Sequence, residues 1–330
     1  MTEPDANACR FRGAARHVES YFVRANDPTR PRAFWLKQTV LAPEAGPAVA
    51  ESWFIWFDGE RHETIAKRVT HSWASARFEA PRIETPSLVF QLSAIGSARG
   101  AFEVDAGKVS LDVGWNPTGD LVAEPLALLP WKLLREGPFP KSKLLTPYPS
   151  LRWNGTVALP HETVDVAGWH GMQGHNWGRE HAYEYAWGQC LFPQEEAMVE
   201  GFTGRVRVAG RTTPRLSAMV VRRRGRTYGF QRLFDPWRQE ASIETDRWTV
   251  RLRSRDGDAE LTMDARQRPV ACLGYTNPDG TLAYCLNSKL AAVELRVFPS
   301  DGAAFTCTSE HGGALEFLGR TRDSRFAHAV

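Results

Sequence analysis

No apolar stretch in this chain of 330 residues is long enough to cross a bilayer: the longest, around Leu121 to Leu134, is broken by Glu124, Pro125, Pro130 and Lys132. The N-terminus reads Met-Thr-Glu-Pro-Asp-Ala-Asn-Ala-Cys-Arg, with no apolar segment ahead of a small-residue cleavage site, so export is not expected. Cysteine is scarce. The five copies (Cys9, Cys190, Cys272, Cys285, Cys307) are odd in number and contain no C-x-x-C pair, which argues against a disulfide framework or zinc knuckle and for reduced thiols in a cytoplasmic protein. No glycine-rich phosphate loop is present, so no nucleotide cofactor is expected, and no G-x-S-x-G elbow suggests a serine nucleophile. Lysine is rare as well, at 7 against 34 arginines.

Charge is nearly balanced at +3 but unevenly spread: residues 205–255 hold 14 arginines against Asp235, Glu240, Glu244 and Asp246. Such a window is a candidate for peripheral contact with an anionic membrane surface. Arg205/Arg207 and Arg251/Arg253/Arg255 nevertheless alternate at period two, as on the solvent face of strands, and no nucleic-acid motif accompanies them, so no nucleic-acid partner is expected. Nothing in the sequence indicates an oligomeric state.

Helical periodicity is also sparse, whereas alternating runs rich in β-branched and aromatic residues recur between Gly, Pro, Asn and Asp. Strands are expected at Glu19–Ala25, Phe34–Leu41, Ser52–Phe57, Leu88–Ile95, Gly100–Val104, Val109–Gly114, Glu196–Val208, Leu216–Arg223, Trp248–Ser254 and Ala292–Phe298. The chain reads as all-β, built of closed barrels or sandwiches. From Asn116 to Ser150 prolines interrupt leucine-rich turns, with one short helix expected near Leu126–Arg135. At ~150 residues per domain the length suggests two domains, or one unusually large one. This Pro-rich connection places their boundary near residue 165, giving domains 1–165 and 166–330, with about 150 as the alternative. No internal repeat is apparent; Ser142-Lys143-Leu144 and Ser288-Lys289-Leu290 match over too few residues.

Chemistry concentrates in Gly168–Phe192, GWHGMQGHNWGREHAYEYAWGQCLF. Four of the nine histidines fall between His161 and His181, beside Trp153, Trp169, Trp177 and Trp187. Histidines move protons near neutral pH and indole faces stabilise cations, a combination suited to proton-initiated chemistry on an apolar molecule. Alternation puts His181, Tyr183, Tyr185 and Trp187 on one face, as a ligand-binding wall or as plain barrel core. Glycines around His175 suggest a close approach of backbone to some other group. His161 and His170 read as structural. His170, His175 and His181 with Glu180 or Glu184 are spaced for mixed faces of a strand, so no metal site is expected.

The runs GMQGHNWG and YAWGQC resemble the signature of the carotenoid 1,2-hydratase (hydroxyneurosporene synthase) and tocopherol cyclase-like superfamily. Ser20-Tyr21-Phe22 through Trp35-Leu36 and the stretch Pro140–Gly155 are similar in style, so the likeness covers residues 15 to 320. The resemblance implies two tandem lipocalin-like, calycin-type antiparallel β-barrels or half-barrels joined by the Pro-rich connection. It further implies a carboxylic acid that protonates an isoprenoid double bond, with His175 and Trp177 assisting. The family's Tyr-x-Asp acid has its nearest counterpart in Met198-Val199-Glu200, where Glu replaces Asp and the tyrosine is missing.

The expectation is thus a cofactor-free acid/base enzyme acting on a large isoprenoid- or polyketide-like substrate by hydration, cyclisation or isomerisation. Its catalytic residues would be His175, Trp177 and Glu200, and its ligand-binding residues Trp169, Asn176, His181, Tyr183, Tyr185 and Trp187. The alternative is a lipocalin-like carrier that binds or transfers a lipid without changing it.

Overall fold

The computed structural model describes residues 6–118, 124–208, 211–233, 235, 237 and 239–330. Met1–Asp5 of the N-terminal reading, residues 121–123 of the longest apolar stretch and Arg238 of the arginine window lie outside them. Among the described residues the chain forms two large antiparallel sheets, of 12 and 10 strands, each curved into a half-barrel, and a five-residue helix, Lys132–Glu136. No helix among the described residues is long and apolar enough to cross a membrane.

In the first sheet a meander runs outward from His17–Asn26 through Arg32–Ala42, Val49–Asp58 and Glu63–Ser72. On its other side, His170–Gly178 is inserted between His17–Asn26 and the 17-residue strand Ser142–Ala158. The second sheet repeats this plan. Glu184–Phe192 starts a meander through Ala197–Arg205 and Leu216–Arg223, and Phe305–Gly319 is inserted between it and the 18-residue strand Leu282–Pro299. Both long strands change register part-way along, near Leu145–Leu151 and near Ser288–Val293. The repeat that the sequence hides is therefore present in the strand order, since backbone pairing tolerates almost any side chain.

Two expectations change. The HNWG strand belongs to the first sheet, and the chain passes to the second between Gly178 and Glu184, later than the 165/166 boundary. Much of the expected connection is also strand, because Ser142–Ala158 tolerates Pro147 and Pro149 where its pairing is irregular.

Alternation sorts three cores. One face of each sheet fills its own half-barrel, with Tyr21, Phe34, Phe54 and Trp153 in the first and Ala186, Val199, Trp248 and Leu261 in the second. The opposite faces meet between the sheets, where Phe22, Trp35, Trp53, Met172, Trp187, Met198 and Tyr275 pack together. Buried polar bridges join them there: Arg24 donates to the carbonyl of Gln189 at 3.2 Å and to its side-chain oxygen, and Thr146 Oγ1 donates to Glu200 Oε1 at 2.9 Å.

The glycines around His175 have a steric reason. A Cβ on Gly174 would lie 2.2 Å from the Phe22 ring, and one on Gly178 would lie 1.9 Å from the Lys141 carbonyl oxygen. Because a carbonyl cannot swing aside as a side chain can, Gly178→Ala is expected to cost about 1–3 kcal/mol. Chemical denaturation would show it, and an unchanged midpoint would mean that the strand end relaxes freely.

Candidate functional site

The expected site residues divide between two buried polar clusters. The first is inside the first half-barrel. His175 is fully buried and stacks on Tyr21 with ring centroids 4.3 Å apart. Its Nε2 lies 2.8 Å from Glu19 Oε1 and its Nδ1 2.8 Å from the Ala6 carbonyl oxygen. Glu19 also accepts the backbone N–H groups of Arg10 (2.8 Å) and Phe11 (2.7 Å), the Tyr21 hydroxyl (2.9 Å) and a hydrogen bond with His17 (2.9 Å). Burial alone would raise the Glu19 pKa, but the hydrogen bonds from His17, His175 and the Arg10 amide outweigh it and hold the carboxyl far below the usual range. Trp177 packs on His175 at 4.8 Å and carries the Arg10 guanidinium over its face at 5.1 Å. Two of the three residues expected as catalytic, His175 and Trp177, are thus engaged in tying the N-terminal segment to the sheet. Trp169 also sits in this half-barrel, stacked on Phe34 and packed against Trp56.

The second cluster surrounds a cavity of about 370 Å³ between the two sheets. Asn176, His181, Tyr183, Tyr185 and Trp187 line it, whereas His175, Trp177 and Trp169 do not. Asn176 follows His175 in a strand and so points to the opposite face. Tyr185 and Trp187 alternate inward from the strand Glu184–Phe192, and His181 and Tyr183 reach the cavity from the segment before it. Phe22, Leu144, Phe202 and Leu216 add apolar wall, and the connection supplies Leu128, Leu134 and Phe139.

Glu200 lies behind the Trp187 wall and is absent from the lining. It is fully buried, and its Oε1 accepts Trp187 Nε1–H at 3.1 Å and the Thr146 hydroxyl at 2.9 Å, while Oε2 has no hydrogen-bond partner among the described residues. Burial pushes its pKa up to about 7, against the smaller opposing pull of those two donors, so near neutrality it keeps a proton that an exposed glutamate would lose. His181 is driven the other way. Its burial, with the charges of Lys37 and Arg320, brings it down to about 3, which leaves a neutral ring stacked on Tyr275 at 5.1 Å.

Sequence reasoning missed three groups at this cavity. Lys37, Tyr275 and Glu316 all line it. Glu316 accepts Lys289 Nζ at 2.6 Å and Asn287 Nδ2 at 3.0 Å, and Tyr185 donates to it at 3.5 Å. A lysine amid Phe-Trp-Leu-Lys-Gln-Thr-Val and a glutamate amid Ala-Leu-Glu-Phe-Leu were the available signals: charges inside otherwise apolar strands. Among the described residues, no three His, Cys, Asp or Glu side chains converge as metal ligands. All five cysteines are free.

Part of the arginine window forms ordinary cross-strand pairs. Arg251 lies 3.3 Å from Glu260 and Arg253 3.4 Å from Asp258, both pairs standing on the solvent side of their strands.

No family model matches the chain. Uncharacterized proteins of two Mycobacterium tuberculosis strains are 23% identical to it over 294 residues, 87% of this chain and 83% of theirs. Among solved structures, a candidate ATTH from Nitrosomonas europaea is similar with a TM-score of 0.59 at 16% identity, covering 96% of this chain and 98% of that one. Kievitone hydratase from Nectria haematococca is similar with a TM-score of 0.57 at 11% identity, covering 92% and 89%. The fold is that of tandem lipocalin-like half-barrels, shared over nearly the full length of these structures.

Proposed function

We propose that the cavity between the sheets is the substrate site of an enzyme that starts its reaction by giving a proton to a large apolar molecule. The observation that carries this reading is Glu200: a fully buried carboxyl, protonated near neutral pH, hydrogen-bonded to the indole that forms the cavity wall. A general acid works best with a pKa near the operating pH, and a group at about 7 meets that requirement.

In a hydration, the Glu200 carboxyl protonates a carbon–carbon double bond, and the Trp187 face stabilises the resulting carbocation. Water then adds to the cation and returns its proton to the carboxylate. Cyclisation follows if an internal double bond captures the cation and the resulting ring cation then loses a C–H proton to the Glu200 carboxylate, and isomerisation if a neighbouring C–H of the first cation returns its proton there, before water arrives. The proton comes from the protein's own side chain, so the scheme calls for no cofactor. Because Glu200 sits behind Trp187, transfer requires the indole to shift or a water to relay the proton. The shared fold with kievitone hydratase, a hydratase by name, agrees with this class of chemistry.

The test is incubation of the wild type and Glu200→Gln with an apolar lipid extract in deuterated water, read by mass spectrometry. Deuterium should enter one lipid species with the wild type and at least about a hundredfold more slowly with the variant. Equal incorporation by both proteins would remove Glu200 from the mechanism. If neither labels any lipid while lipid stays bound through purification, the cavity belongs to a carrier.

A further inference from the structure

Lys37 is one of only seven lysines, and its strand neighbours Leu36 and Gln38 point into the half-barrel while it faces the second sheet. It is 3% exposed and lines the cavity. Its ammonium lies 3.8 Å from the centroid of the Tyr275 ring, 5.0 Å from that of Trp53 and 5.7 Å from that of Trp35. Aromatic faces attract a cation but do not replace the three hydrogen bonds that an ammonium makes in water. No protein acceptor bonds to Lys37 among the described residues. The cavity's other lysines differ: Lys143 donates to the Pro140 carbonyl at 2.6 Å and Lys141 to Glu180 at 3.2 Å.

The groups acting on Lys37 are Glu51 from the adjoining strand and Arg68 from the strand beyond it in its own sheet, and Glu316, Cys285 and His181 from across the cavity. Glu316 is taken up by Lys289 and Asn287, and Glu51 accepts the Trp53 indole N–H at 3.2 Å. Burial keeps the Cys285 thiol protonated and the His181 ring neutral. Lys37, Lys289 and Arg68 therefore face two carboxylates, and the cationic surplus sits at the cavity wall.

We propose that Lys37 is the head-group anchor of the cavity, whose ligand is an apolar molecule bearing a single oxyanion: a carboxylate, phenolate or enolate. An oxyanion at this point supplies the acceptor that the ammonium lacks and cancels the surplus charge, while the hydrocarbon body fills the space between Phe22, Leu144 and Phe202. The proposal rests on the cavity being the substrate site and specifies the class of molecule that enters it.

Calorimetric titration with decanoate and decanol, which share a chain and differ in head group, tests it. At pH 7 the wild type should bind decanoate at least about tenfold more tightly than decanol. Lys37→Met should abolish that preference. Burial brings Lys37 down to about 8, so decanoate affinity should also fall by about tenfold between pH 7 and 10 while decanol affinity holds. This pH comparison uses the wild type alone and stands even if Lys37→Met does not fold. Equal binding of the two probes, or a preference that survives Lys37→Met or alkaline pH, overturns the anchor and leaves the proton-transfer reading standing. Binding of neither probe overturns both. A confirmed preference without deuterium transfer leaves a carrier of apolar acids.

Discussion

Glu19→Ala is expected to destabilise the fold by about 3–5 kcal/mol, since it leaves several buried donors unpaired at once. The Arg10 and Phe11 amides, the Tyr21 hydroxyl and the two imidazoles all converge on this carboxylate. The N-terminal segment should come loose first, because two of those donors are its own backbone groups. Trypsin would report this as faster cleavage after Arg10, Arg12 and Arg16, and urea unfolding would give the global loss.

The pH dependence follows from the same geometry. Glu19 has a depressed folded-state pKa, so its contribution is fully present above its ordinary value of 4.5 and is lost as pH falls towards the folded value. Wild-type stability should therefore decline below about pH 4.5, and Glu19→Ala should flatten that decline. Superimposable acid limbs for the two proteins would show that Glu19 is not held ionised as the hydrogen bonds require. His175→Ala is expected to share the stability defect, so lost turnover in that variant would not by itself establish a chemical role.

Glu200→Gln carries the opposite sign. A carboxyl whose pKa rises from 4.5 to about 7 on folding binds a proton that the unfolded chain releases. Its burial is therefore tolerated below pH 4.5 and costs increasing stability as pH rises through 7, reaching about 3 kcal/mol in alkali. Glutamine retains an acceptor for Trp187 and Thr146 and has no charge to bury. The variant should be more stable than the wild type by about 3 kcal/mol at pH 8.5 and nearly equal to it at pH 4.5, while losing deuterium transfer. Denaturant titrations at the two pH values decide the matter. An identical difference at both would mean that the carboxyl does not carry a displaced proton. Stability gained together with activity lost is the pattern of a side chain kept for chemistry at the expense of folding.

Much of the local structure was legible from residue order. Leu216–Arg223 was bounded correctly because period-two alternation and flanking turn residues are properties of a few consecutive positions. His17–Asn26 and Trp248–Ser254 were found within one or two residues of their ends for the same reason. The aromatic run from His181 to Trp187 was noticed as a wall, and it lines the cavity, although its strand begins only at Glu184. The likeness to the carotenoid hydratase and tocopherol cyclase-like superfamily pointed to tandem lipocalin-like barrels, and the half-barrel fold agrees with that.

Sequence alone determined that the protein is all-β, that segments such as Leu216–Arg223 become strands, and that its titratable and aromatic groups gather near residues 168–200, because these depend on neighbours along the chain. Tertiary structure alone decided that His170–Gly178 pairs between strands ending at residues 26 and 158, which turns His175 inward to Glu19 and Asn176 outward to the cavity. It also decided that Lys37 shares one cavity wall with Tyr275 and Glu316, which lie more than two hundred residues further along the chain. Side-chain direction is set by alternation within a strand, but what each face meets is set by pairing and packing between distant strands. That is why the chemistry of the cavity could not be read from any single run of residues.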